Sequence, residues 1–186
     1  MRTWSLLSPT SSPESAERIY TFLERHPVGV LATISPDSTP EAVVIYFTVN
    51  DQFEFYFVTK TQTQKYKNMR LHPNVSLVSY DPFSQTTVQV RGHVEEVTSG
   101  AVKNSMLMIL EQLAAHGGKS HKPPISKLFA GRYAVLRLRP SSIRMDNYME
   151  TDTSAHETIE FQYPASLHFR AQQAFQSRKV KHMDAV

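Results

Sequence analysis

Three threonines and two lysines at the end of one apolar stretch carry the chemistry most worth following. Phe53, Phe55 and Phe57 alternate with Glu54, Tyr56 and Val58. The chain then reads Thr59-Lys60-Thr61-Gln62-Thr63-Gln64-Lys65 and continues as a helix-like segment to Leu71. The alternation has the two-residue period of a strand. A strand that ends in hydroxyls and lysines where a helix begins can hold a phosphate. The first N–H groups of the helix lack partners, the helix dipole favours an anion, and lysine supplies the counter-charge. The competing reading is a pair of solvated lysines at a sheet corner, since lysine is mostly exposed.

Other chemistries find less support. The chain has no cysteine, which excludes disulfides, thiolate metal sites, iron–sulfur clusters and a cysteine nucleophile. Its eight histidines show no ligand spacing, so no metal centre is expected. Gly117-Gly118-Lys119-Ser120 has the ending of a phosphate-binding loop, but the first glycine of that pattern falls on Leu113 and the segment follows a helix. It reads better as a helix end and a loop. No Gly-x-Ser-x-Gly elbow supports hydrolysis.

The elements that must position the threonines and lysines follow from local pattern. Ser12-Pro13-Glu14 is a helix start, with a capping hydroxyl, a proline at the first helical position and an acid. Ala16, Ile19, Tyr20 and Leu23 form one stripe, and Pro27 stops the helix at His26. Strands are expected at Val28 to Ile34, Ala42 to Val49, Phe53 to Thr59, Val75 to Tyr80 and Thr86 to Val97. In the last, Val88, Val90, Gly92 and Val94 share one face, and Thr87, Gln89, Arg91 and His93 the other. A second helix spans Gly100 to Ala115, burying Val102, Met106, Ile109, Leu110 and Leu113. Tyr133 to Leu138 and Ile143 to Tyr148 are two more strands separated by Pro140, and Ile159 to Tyr163 is a short one. Asn50-Asp51 joins Val43–Val49 to the phenylalanine strand as a hairpin, which argues against a doubly wound parallel sheet. The pattern is that of a mostly antiparallel barrel with helices at its periphery.

At 186 residues, with 40% apolar and 20% charged positions, the chain is most simply one globular domain. Residues 1–12 form an arm, 13–149 the barrel, and 150–186 an extension with a basic tail. Arg170, Arg178, Lys179 and Lys181 in that tail face only Asp184. This is the sole hint of a nucleic-acid partner, and no aromatic stacking pattern accompanies it. No run approaches the roughly 20 apolar residues of a membrane span. No signal segment is evident, so a cytoplasmic location is expected.

The order of elements and the central motif resemble the FMN-binding split barrels related to pyridoxamine 5′-phosphate oxidase. The resemblance covers residues 14 to 148. It rests on the strand ending at Thr59, the turn with Lys65, His72-Pro73-Asn74-Val75-Ser76-Leu77, and Val88-Gln89-Val90-Arg91-Gly92. It implies a mostly β split barrel with flanking helices and a homodimer with FMN at the interface. It also implies flavin-dependent redox chemistry on a small molecule. Thr59 and Lys65, with Thr63, would anchor the phosphate, and Val58 and Gln64 flank them. The strand from Val43 through Val44 and Ile45 to Thr48 would offer backbone groups to the isoalloxazine. Thr87 or Gln89 would face the ring or the ribityl chain.

The departures bear on the reaction. The family often has arginine just before the lysine, where this chain has Gln64; Lys60 or Arg70 stands as a replacement. The oxidase's Tyr, Arg and Ser cluster has no counterpart in Lys103 to Ala115. Its C-terminal arginine motif is replaced by Arg144-Met145-Asp146-Asn147-Tyr148. Oxidation of vitamin B6 is therefore not expected, and no side chain is singled out as acid or base. The alternative is a module that holds flavin, haem or deazaflavin without turnover, as a carrier, sensor or stress protein. A haem would take His93 or His121 as its axial ligand.

Overall fold

The computed structural model describes residues 5–116, 132–149 and 156–162, and within the helix 100–116 it describes no side chains at 106 or 110–116. Along the chain run α1 (Pro13–Arg25), β1 (Val28–Ile34), β2 (Pro40–Tyr46), β3 (Thr48–Val49), β4 (Phe55–Lys60) and α2 (Gln64–Leu71). Then come β5 (Asn74–Asp81), β6 (Thr86–Glu96), α3 (Gly100–His116), β7 (Tyr133–Asn147) and β8 (His156–Glu160). The strands make one sheet in the order β2-β1-β5-β6-β7-β4-β3, with β8 also on β7. Every pairing is antiparallel.

The two ends of that order, β2 and β3, are neighbours in sequence, with Phe47 alone between them. The sheet therefore curls back on itself, and the chain steps from one edge to the other at Phe47. This corrects the expected unbroken strand: β2 pairs with β1, and only Thr48 and Val49 pair with β4. The hairpin expected across Val43–Thr59 shrinks to Thr48↔Tyr56 and Val49↔Phe55. The physical reason lies in Phe47, whose N–H donates to the Pro27 carbonyl at 2.9 Å while its ring is fully buried.

The core fills the inside of the curl. Phe47, Phe53, Phe55 and Phe57 meet Leu31, Leu77, Val88, Val90, Leu138, Ile143 and Ile159, and α1 adds Ala16, Ile19, Tyr20 and Leu23 from one face. Ser12 caps that helix by accepting from the Ser15 N–H at 3.3 Å. β7 also differs from expectation, running unbroken through Pro140. A proline cannot donate to the ladder, and here it sits opposite Gly92 beside a bulge in β7 whose extra residue is Ser141. A side chain at Gly92 would overlap the Arg139 carbonyl.

A smaller cluster of Tyr56, Val97 and Val135, with Val58 and Tyr133, packs beneath Val102 and Leu107 of α3. Of the stripe expected on α3, Val102 and Ile109 are half-buried; Met106, Leu110 and Leu113 lie outside the described side chains. The short strand expected at Ile159 begins earlier, at His156, and pairs with β7; Tyr163 lies outside the described residues. Leu7 bridges to Phe161, so the segment before α1 is tied to the sheet.

Candidate functional site

β4 ends where the sequence turns polar. Thr59 pairs with the fully buried Ala134, so its side chain points inward, while Lys60 and Val58 take the opposite face. The Thr59 and Thr63 hydroxyl oxygens are 3.0 Å apart, and Thr63 donates to the Lys60 carbonyl at 2.8 Å. Thr63 occupies the N-cap of α2, yet its side chain gives no bond to the first N–H groups of the helix. Those groups and the helix dipole remain available to an anion.

Lys65 stands one residue inside the helix. It is half-buried, and burial lowers its pKa from the ordinary lysine value. No carboxylate pairs with it among the described residues. Gln64 donates through Nε2 to Asn68 Oδ1 at 2.9 Å. Asn68 is fully buried and donates to Thr33 Oγ1 at 3.1 Å and Glu41 Oε2 at 3.0 Å. This amide ties α2 to the β1–β2 pair, in which Thr33 and Glu41 are opposite one another. Sequence reasoning missed it, because Asn68 meets partners 35 and 27 residues away. Arg70, a possible stand-in for the missing arginine, lies over the Tyr66 ring at 6.0 Å and donates to its hydroxyl at 3.4 Å.

The remaining predicted residues lie elsewhere on the barrel. Val44, Val30, Val78 and Gln89 form one row across the sheet by successive pairing. The alternation places this row on the outer face, because Leu31 and Leu77 in the next row are fully buried. Gln89 donates to Ser76 Oγ at 3.4 Å. Thr87 is on the same face, opposite Tyr80 and Asp146. Val43 leans on the core and Ile45 is buried in it, so at these two positions only the backbone is open to a ligand. Val58 packs under α3. The structure thus brings Thr59, Thr63, Gln64 and Lys65 together, and sets Val44, Thr87 and Gln89 apart on the outer face. β2 links the two groups: Glu41 and Val44 are three residues, about 10 Å, apart along the strand.

A second polar cluster was not read from the sequence. Glu54 is nearly buried and accepts from Tyr56 Oη at 2.7 Å and Asn50 Nδ2 at 3.1 Å. Arg137 and Arg139 lie against it at 3.1 and 3.2 Å and also bind Glu95. Burial opposes the charge of Glu54, but Tyr56 and the two guanidiniums outweigh it and hold the carboxyl below its ordinary range. Tyr56 is pushed up to about 12 by burial and by the same carboxylate. Its donors and acceptors are matched internally, so it reads as a structural network. Arginines at i and i+2 on one strand face were the only local signal.

A cleft of about 450 Å³ between α1 and the β5–β6 turn is lined in part by Arg18, Phe22, Arg25, His26 and Asp81. It contains none of the predicted site residues. Among the described residues no group of three histidines or carboxylates is placed to hold a metal, and no helix is long and apolar enough to cross a membrane. His93 is 3.4 Å from Asn74 Oδ1; His121 lies outside the described residues.

The family model for pyridoxamine 5′-phosphate oxidase matches residues 15–145. The pyridoxine/pyridoxamine 5′-phosphate oxidase of Azorhizobium caulinodans is 37% identical over 107 residues, 56% of this chain and 48% of the relative. The match thus spans about half the length of that relative. A haem-binding protein from Mycobacterium smegmatis superposes with a TM-score of 0.61 at 16% identity, covering 81% of this chain and 60% of the other. A Listeria innocua protein named for pyridoxamine 5′-phosphate oxidase gives 0.54 at 22% identity, covering 69% and 95%. At such identities these structures show the shared fold, a split barrel.

Proposed function

The chain belongs to the pyridoxamine 5′-phosphate oxidase family, and we propose that it is an FMN-dependent oxidoreductase acting on a small molecule other than pyridoxamine phosphate. The observation that carries this reading is Lys65: a partly buried cation without a carboxylate partner among the described residues, at the uncapped start of α2. Burying an unpaired charge is costly, and a cofactor phosphate would relieve that cost. Thr59 and Thr63 would flank the phosphate, and Lys65 would pair with it. The backbone of Val43 to Ile45 would run beside the ring, and Thr87 or Gln89 would bond the ring or ribityl chain. Bound flavin supplies hydride or electron transfer, and the protein supplies position and electrostatics.

Two further observations refine the reading. Arg144, where the resemblance leads one to look for a substrate-binding arginine motif, is held by Asp146 at 2.8 to 3.0 Å. Its charge is already compensated, which supports a substrate other than pyridoxamine phosphate. Val44 and Val30 oppose one another on the outer face at 59% and 43% exposure. A second copy would cover this apolar patch, making a homodimer that closes over the cofactor.

Gln64, neutral where a second cation would strengthen the site, favours a second reading: a module that carries a cofactor without turnover. The absorption spectrum of the purified protein, followed by titration with FMN, tests the proposal. Flavin bands, or FMN binding in the micromolar range, support it and justify a substrate screen. A Soret band moves the assignment to haem. Absence of any cofactor band together with no FMN affinity removes the oxidoreductase reading.

A further inference from the structure

We propose that the cleft between α1 and the β5–β6 turn is a binding site for a small aromatic carboxylate, sharing no residue with the α2 corner. Its volume of about 450 Å³ falls within the range of small-molecule pockets, roughly 300 to 1,000 Å³. One side of it is a single face of α1, where Arg18, Thr21 and Arg25 stand at i, i+3 and i+7. At about 1.5 Å per residue, the two arginines are about 10 Å apart along the helix axis. Phe22 and Met145 supply apolar surface. The His26 ring stacks on Phe22 with centroids 4.4 Å apart and planes 30° apart.

The acceptors that line this cleft are already used, and several donors are not. Asp81 accepts from the Ser84 N–H at 3.0 Å, the Ser84 hydroxyl at 2.6 Å and the Phe83 N–H at 3.3 Å. Its carboxylate is thus spent on shaping the turn. Glu17 is engaged as well. Arg18 gives Nε and Nη2 to Glu157 Oε1 at 2.7 and 2.6 Å, so its charge is offset while Nη1 stays open. Arg25 and the Thr21 hydroxyl have no partner among the described residues, and Asp81 forms no ion pair with Arg25 although both line the cleft. What remains is a fork of guanidinium donors with one uncompensated charge. A planar monoanion that accepts through two oxygens matches that fork, and a carboxylate has this shape. A phosphate dianion would call for a second uncompensated cation, and Arg18 is not one. The stacked rings and the Met145 thioether favour a flat aromatic body behind the carboxylate.

Calorimetric titration of the full chain with 2-naphthoate, and with 2-naphthamide as its uncharged counterpart, tests this in the wild-type protein and in Arg25→Gln. Arg25 is exposed and unpaired, so the variant should keep the wild-type melting temperature, which verifies its fold. The proposal expects saturable binding of one 2-naphthoate per chain. The affinity should fall about tenfold or more in Arg25→Gln, and by as much when the amide replaces the acid. Absence of saturable 2-naphthoate binding would overturn it. So would equal affinity in Arg25→Gln, or an amide that binds as well as the acid.

Discussion

The hydroxyl oxygens of Thr59 and Thr63 lie 3.0 Å apart, and Thr63 gives its proton to the Lys60 carbonyl at 2.8 Å. A hydroxyl has one proton, so Thr59 is the donor of the pair. The turn from β4 into α2 is thus locked by side chains from both ends. Because Thr63 is engaged backwards, toward the strand, it leaves the first N–H groups of α2 uncapped. The same bond that fixes the corner leaves its donors open to an anion.

Asn68 should matter to stability more than its polarity suggests. It makes three bonds where α2 meets the β1–β2 pair, to Gln64, Thr33 and Glu41. Asn68→Leu would bury an apolar group but leave the Thr33 hydroxyl unpaired. A loss of about 2 to 3 kcal/mol is expected, measurable by urea denaturation.

The Glu54 cluster gives an acid-side prediction. The folded pKa of Glu54 lies below the usual glutamate value. Its contribution is therefore full above about pH 4.3, the unfolded value, and is lost as pH falls through the folded pKa. Glu54→Gln should lower stability at neutral pH by roughly 2 to 4 kcal/mol, since it leaves Arg137 and Arg139 undercompensated. It should also flatten the pH dependence of stability below about pH 4.3. Denaturation curves collected between neutral and acid pH check both.

Tyr56 acts at the other end of the scale. Its phenol is raised to about 12, so it favours the folded state below the unfolded value of about 10 and loses that contribution as pH rises through the folded one. Ultraviolet titration should show Tyr56 ionising well after the exposed tyrosines. Tyr56→Phe should abolish that late step.

The outer row of valines should govern assembly. Val44→Asp places a charge on an exposed position, where a monomer tolerates it, but at the centre of the proposed interface. Sedimentation should show the wild-type protein as a dimer and the variant as a folded monomer, whose melting temperature no longer depends on protein concentration.

How legible these features were in the sequence depended on the distance over which each is determined. The start of α1 at Ser12-Pro13 and the alternation of β6 are local, and the structure reproduces them. The crossing at Phe47 was hidden, because an apolar run from Val43 to Val49 looks the same whether it has one partner strand or two. Pro140 looked like a break because the bulge that tolerates it, with Ser141 as the extra residue, forms only against Arg91 and Gly92 of a strand 48 residues upstream. The hydroxyl and lysine corner could be read as a motif. Asn68 and Glu41, which tie α2 to the β1–β2 pair, could not, because their meeting depends on how α2 lies over β1 and β2.

The central claim is that Lys65 anchors a cofactor phosphate. The most direct test compares FMN affinity of the wild-type protein and Lys65→Ala, with riboflavin as the control that lacks the phosphate. The account predicts a loss of about 1.5 to 3 kcal/mol for FMN, roughly tenfold or more in Kd, and no change for riboflavin. Equal FMN affinity in the two proteins would contradict it and return Lys65 to the status of an ordinary lysine at a sheet corner.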